Sequence, residues 1–174
     1  MIDSIEFEPS PAKLVKELRG LSEDLQRKAV DAGLVTSMKP IKAAMKTTAP
    51  RNKHGYIADS IGHRNVSKTA KARLGIDPED RAKLVGPTKK VNINDKKIGL
   101  GRLAHLLEEG TAPHLIRFKN KKALHGNGNW FAQEVKHPGI RATYFMANSL
   151  AIHQSRVPAL FYQGLAKHLN KRKK

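Results

Sequence analysis

"GRLAHLLEEGTAPHLIRF", residues 101–118, changes its period partway along. Leu103, Leu106 and Leu107 recur at helical spacing and share one face, so residues 101 to 109 are expected to form a short helix. Gly110 stands where a left-handed residue would end it. Past Pro113, "HLIRF" (114–118) reads as a strand. A helix that stops at a glycine and gives way to a strand predicts an α+β chain, not a helical bundle.

Working outward, the segments upstream read as short strands: "SIGHRNV" (60–66), "ARLGI" (72–76), "AKLVG" (82–86) and "KVNI" (90–93), punctuated by Gly, Pro, Asp and Asn. Downstream, "WFAQEVK" (130–136) returns against "HLIRF" across a long loop, "KNKKALHGNGN" (119–129), and "HPGI" (137–140) turns the chain out of that hairpin. At the amino terminus Ser10 and Pro11 read as an N-cap and first helical position. Leu14, Leu18, Leu21 and Leu25 follow as one apolar stripe. The stripe fits packing onto a sheet, or a coiled-coil seam of very few heptads. The pattern weakens near Gly33, resumes through Ile41, Ala44 and Met45, and must stop before Pro50. Pro40 predicts a kink or break within it. From Thr143 a helical pattern runs through Phe145, Met146, Leu150 and Ile152, and Pro158 starts or kinks a last segment.

The resulting expectation is a long N-terminal helix, kinked or broken near Pro40, packed on a small, mostly antiparallel sheet. A short middle helix, a long basic hairpin loop and a C-terminal helix complete it. A chain of 174 residues suits one domain; residues 1–170 are assigned to it and 171–174 to a disordered basic tail. No apolar stretch approaches the ~20 residues needed to span a bilayer. The opening "MIDSIEFEPSP" has neither the basic head nor the apolar run of a signal peptide. Absence of cysteine excludes disulfides, thiolate zinc sites and a cysteine nucleophile.

Charge is unevenly placed. Residues 1–38 are mildly acidic at −2, residues 39–102 carry +11 and residues 103–174 carry +9, within a chain of +18. Such a field concentrates polyanions, which makes nucleic acid the leading partner, ahead of an anionic membrane surface or an acidic protein. Catalytic groupings are not found. The histidines form no HExxH motif and no i, i+4 pair, and "HGNGNW" lacks the Lys-Ser/Thr of a phosphate loop. A metal site and a cofactor are therefore not expected, nor is an enzyme. Glu108 and Glu109, in the last turn of a helix, face its partial negative charge and should have basic partners, either solvent-exposed or across a subunit boundary. The loop lysines Lys119, Lys121 and Lys122, with Arg117 and with Lys89, Lys90, Lys96 and Lys97, are candidates for sequence-independent phosphate contact. Trp130 and Phe131, strand residues beside that loop, join Glu108 and Glu109 as candidates for a subunit contact.

"GYIADSI", "LVGP", "LAHLLEEGT", the basic loop closing in "VKHPG", and "ATYFMANSL" stand in an order that resembles the tail-component family of long-tailed bacteriophages, whose members complete the tail at the head-tail junction. The resemblance covers roughly residues 10 to 155. The family's first motif falls on His54, Gly55, Ile57, Ser60 and Ile61, the next on Gly86 and Pro87. The third falls on Leu103, Ala104, Leu107, Glu108, Glu109, Gly110 and Thr111, followed by His137, Pro138 and Gly139, and then Phe145. Glu109 stands where the family has an aromatic, and Tyr144 and Asn148 where it commonly has prolines.

What the resemblance implies is an α+β subunit of the virion neck, assembled in the host cytoplasm into a sixfold ring. Its partners would be the portal-side connector or head-completion protein, the tail terminator or tail tube, and double-stranded genomic DNA held by its backbone. It implies no catalysis and no membrane. On composition alone, a free-standing duplex-binding protein is the alternative.

Overall fold

In a computed structural model, residues 10–51, 56–93, 96–117, 124–125, 131–132 and 134–171 are described. The α+β expectation holds: long helices at both ends enclose small antiparallel sheets. Helix α1 (Pro11–Arg19) begins as its sequence dictates, with the Ser10 hydroxyl accepting the Lys13 N–H and Pro11 at the first helical position. Helix α2 (Glu23–Thr48) carries Glu23 and Asp24 in its first turn, where the helix dipole favours carboxylates.

The interruption falls earlier than the sequence suggested. Gly20 to Ser22 separate the two helices, and α2 continues through Pro40. Ser22 takes an extended conformation and its carbonyl accepts the N–H groups of Leu25 and Gln26, while the Gln26 amide donates to Leu21 O. The leucine stripe is thereby folded round a corner: Leu14, Leu18 and Leu21 all reach one cluster with Ala29, Leu165, Ala166 and Leu169.

Proline inside a helix forfeits the bond to the carbonyl four residues back, here Thr36. What holds α2 together across it is burial on both sides, through Ser37 and Met38 before it and Ile41 and Met45 after it. Replacing Pro40 by Ala restores the missing donor and should stabilise the protein by about 2 kcal/mol, once the added freedom of the unfolded chain is deducted. Urea unfolding of the two proteins measures it.

Helix α3 (Tyr56–Ser60) leads directly into β1 (Ile61–Asn65), then comes α4 (Lys68–Arg73) and β2 (Lys83–Pro87), which pairs antiparallel with β1 from Ile61 opposite Pro87 to Asn65 opposite Lys83. The strand expected at 72–76 is instead the end of α4 and its exit turn. Ser67 caps that helix through the Ala70 N–H, and the buried Lys71 ammonium donates to Pro78 O and Asp80 O, tying the following loop to it. A run as short as "ARLGI" cannot tell strand from helix by its period. β3 (Lys90–Ile93) and β4 (Lys96–Gly99) form a hairpin.

Helix α5 (Gly101–Glu109) follows, then β5 (His114–Arg117), β6 (Leu124–His125), β7 (Phe131–Ala132) and β8 (Glu134–His137). β5 pairs with β8, and β6 with β7, both antiparallel. Among the described residues, the small sheet expected is four two-stranded antiparallel pairs. Helix α6 (Phe145–His153), a 3-10 turn, and α7 (Val157–Asn170) close the chain, with Pro158 in the first turn of α7 as anticipated. Of the tail assigned to 171–174, only Lys171, the C-cap of α7, lies among the described residues.

Two apolar clusters sit at either end of α2. One, at its amino-terminal half, is the cluster of Leu14 and Ala29. The other joins Ile41, Met45 and Ala49 to Ile57, Ile61, Leu100, Ala104 and Phe145. Helix α7 lies along α2 at very close range. A Cβ on Gly33 would sit 2.7 Å from the Phe161 ring, and one on Gly164 would sit 2.6 Å from Thr36 Cβ, so both glycines are required by space.

The charged surface near the first cluster is paired. Arg27 bonds Glu23 and lies 3.8 Å from Glu79, Lys28 bonds Asp24, and Asp31 receives both Arg81 and Lys83. Burial alone would raise the Asp31 carboxyl, but hydrogen bonds from Arg81 and Lys83 and the attraction of their charges outweigh it and hold it below the ordinary carboxylate range. With the folded value depressed below about 3.9, the stabilisation is complete above that pH and is lost as pH falls through the folded value. Asp31→Asn should therefore flatten the acid limb of a stability profile below about pH 4. At neutral pH it should cost under about 1 kcal/mol, as expected of a partly solvated group. Urea titrations from pH 2 to 7 test both.

Candidate nucleic-acid interface

The β3–β4 hairpin brings four of the anticipated phosphate contacts together. Lys89 precedes it, Lys90 opens it, and Lys96 and Lys97 start its return strand; all four side chains are exposed and none forms an ion pair with a described residue. Opposite residues of an antiparallel pair share a face. With Lys90 opposite Gly99 and Asn92 opposite Lys97, the polar face carries Lys90, Asn92 and Lys97, while Val91 opposite Ile98 lies on the other, and Val91 packs on the second apolar cluster. The hairpin thus turns Lys90 and Lys97 outward because Val91 is anchored inward, while Lys96, two residues before Ile98, stands on the Val91 side. Lys89 is fixed at its backbone: its N–H donates to Ser60 O, and its stem lies over Gly62, where a Cβ would come within 2.9 Å of it.

Arg117 differs. It stands opposite Glu134 in the β5–β8 ribbon and bonds it at 3.2 Å, so its charge is already offset. Lys119, Lys121, Lys122 and Trp130 lie outside the described residues, as does Gly55. Phe131 is placed only by register, opposite His125.

The two acids that close α5 part company. Glu109 is exposed and lies 3.4 Å from His105, one turn earlier. Glu108 is 8% exposed, and its two carboxylate oxygens accept the N–H groups of Met146 at 2.9 Å and Ala147 at 2.8 Å. It is the missing cap of α6, supplied from another helix. The expectation of a solvated or subunit-bridging acid at Glu108 is therefore corrected. A carboxylate at the negative end of its own helix is stabilised by the positive end of a second one. Tyr144, at the N-cap of α6, has a left-handed backbone (φ 49°) and makes no side-chain cap bond. The sequence carries no signal of this, because Thr143 is itself a capping residue type, and only the fold shows its hydroxyl donated to Leu107 O and the N-cap position taken by Tyr144.

Around this cap the motif residues converge. Thr143 donates from both its N–H and its hydroxyl to Leu107 O, and Tyr144 N–H donates to Glu108 O. Thr111 and Ile140 exchange backbone bonds, with Gly110 and Gly139 at positive φ on either side of the crossing. His137 stacks on His114 at 5.0 Å, and its Nδ1 accepts the Gly139 N–H across Pro138. Phe145, 2% exposed, enters the second apolar cluster. Ser60 is fully buried, donating to Ile57 O, while Gly86 and Pro87 pair with Gly62 and Ile61. The helix face also differs from its expected orientation. Leu100, Ala104, Leu107 and Glu108 face inward, and Leu103 is exposed.

Among the described residues, no three His, Asp or Glu side chains are placed to hold a metal ion. No helix there is long and apolar enough to cross a membrane. A shallow cleft of about 630 Å³ between α1, α2 and the loop after α4 is lined by Leu18, Val30 and Ile76 and by the paired residues Glu23, Arg27 and Arg81. With Glu23, Glu79 and Asp80 against Arg27 and Arg81 its lining is slightly acidic, so it offers no anion a distinct site. No protein-family model, curated protein or solved structure matches the chain.

Proposed function

We propose that this protein is a structural subunit of a bacteriophage neck, forming a homo-oligomeric ring that joins the DNA-filled head to the tail and borders the channel through which duplex passes. The observation that carries the DNA half of this reading is the lysine set Lys89, Lys90, Lys96 and Lys97, gathered on one anchored hairpin, exposed and without an ion-pair partner among the described residues, in a chain of net charge +18. Lysines without bidentate geometry hold a polyanion by charge and let it slide, as passage demands. The ordered motifs support the neck assignment. Particles made without the protein should accumulate as separate filled heads and tails, and normal infectious virions in its absence would refute the reading.

The net charge of +18 favours a second reading, a free-standing duplex-binding protein. That version requires tight binding by the isolated monomer, with log affinity falling against log salt at about −0.9 per phosphate contacted. Replacing Lys89, Lys90, Lys96 and Lys97 by Ala should then reduce the magnitude of the slope by about 3 to 4. A monomer indifferent to duplex at moderate salt, yet able to join particles, excludes it.

A further inference from the structure

The β3–β4 hairpin is amphipathic but incomplete. Every residue of β4 is exposed, and Ile98, on the apolar face beside the anchored Val91, is 40% exposed. β4's outer edge has no strand beside it among the described residues. Such an edge offers unpaired backbone donors and acceptors, and a strand of matching pattern satisfies them.

The chain itself contains that pattern. Residues 5–8 read Ile-Glu-Phe-Glu, strict apolar/acidic alternation, within an opening nine residues that carry three acids and no base. Residues 89–99, by contrast, hold four lysines and one acid. We propose that residues 5–8 of a second copy add to the free edge of β4 as an antiparallel third strand. With Glu8 opposite Lys97, Phe7 falls opposite Ile98 and Glu6 opposite Gly99, whose partner across the hairpin is Lys90. Both carboxylates then lie on the lysine face, and Phe7 covers Ile98 next to Val91. A slip of one residue would set Phe7 against Lys97 and the acids against the apolar face, so the pattern fixes the register.

Reach makes the donor another molecule. Leu14 is held at Ala29, while Val91 is held at the cluster of Ile41, Met45 and Ala49. Those sites lie about 18 to 30 Å apart along α2 at 1.5 Å per residue. From Leu14 back to Ser10 is about 6 Å of helix, and on to Glu8 at most about 7 Å more. Because the donor and acceptor surfaces differ, each copy gives a strand to the next, the heterologous contact that closes into rings. The proposal rests on the ring reading only in requiring several copies. It divides the lysines: Lys90 and Lys97 face the neighbour's carboxylates, and Lys89 and Lys96 remain for phosphate.

The chain lacks cysteine, so single replacements report cleanly. Opposed residues of an antiparallel pair have Cα atoms about 4.5 to 5.5 Å apart, within disulfide range. Mixing Glu8→Cys with Lys97→Cys under mild oxidation should give a disulfide-linked dimer that neither variant gives alone. Deleting residues 1–9 should raise the concentration needed for assembly at least tenfold. Rings that form without the cross-link overturn this proposal and leave the ring reading standing. A chain that never leaves the monomer overturns both. A cross-link inside single molecules of the doubly substituted chain overturns the second-copy donor.

Discussion

Glu108→Lys destabilises the subunit by about 3 to 5 kcal/mol and removes folded protein before assembly can be assayed. The carboxylate accepts two backbone N–H groups at the start of α6 and is 8% exposed. Taking it away leaves both donors without a partner. An ammonium in its place adds a buried positive charge beside the positive end of a helix. Glu108→Gln keeps one acceptor and should cost about 1 to 2 kcal/mol, since hydrogen bonds to a charged group are the stronger kind. Glu109→Lys, next in sequence and exposed, should move stability by less than about 0.5 kcal/mol. Urea unfolding of the three variants ranks them, and equal effects at 108 and 109 would show that the cap has no energetic role.

Gly139→Ala should be of similar severity, at least about 3 kcal/mol, for a backbone reason. Its φ is 86°, and an added Cβ would overlap the carbonyl oxygen of Thr111 and approach Pro113 N to 3.0 Å. The obstructing atoms are backbone, engaged in the Thr111–Ile140 exchange, so they cannot swing aside. Gly110→Ala meets the same crossing from the other strand, with Ile140 O at 2.6 Å and Ala142 N at 2.7 Å. Gly75→Ala separates the two contributions. Its φ is 67° but nothing lies within 4 Å, so only the left-handed strain of about 1 kcal/mol applies. Thermal unfolding of the three proteins should put Gly75→Ala well above the other two, and parity among them would mean that the crossing yields.

Much of the architecture was legible because it depends on neighbours in sequence. Ser10-Pro11 starts α1 as read, "GRLAHLLEE" is helical to its last residue, and "KVNI" is β3. Where the reading failed, a distant contact had overruled a local preference. Pro40 should break a helix, yet buried side chains on both flanks keep α2 continuous. "ARLGI" alternates like a strand, yet Lys71 is clamped by carbonyls of the loop that follows. Leu103 belongs by pattern to the apolar face of α5, yet the second cluster takes Leu100, Ala104 and Leu107 and turns Leu103 to solvent.

The candidate site divides the same way. That the chain is strongly basic, lacks cysteine and presents lysine pairs at 89–90 and 96–97 is written in the residues alone. Which lysines share a face, that Arg117 is already neutralised by Glu134, and that Glu108 caps a helix beginning 37 residues later were decided by the fold. Composition, period and capping act over a few residues and survive without tertiary contacts. A charge's role depends on what stands within about 4 Å of it, and only the folded chain brings those partners together.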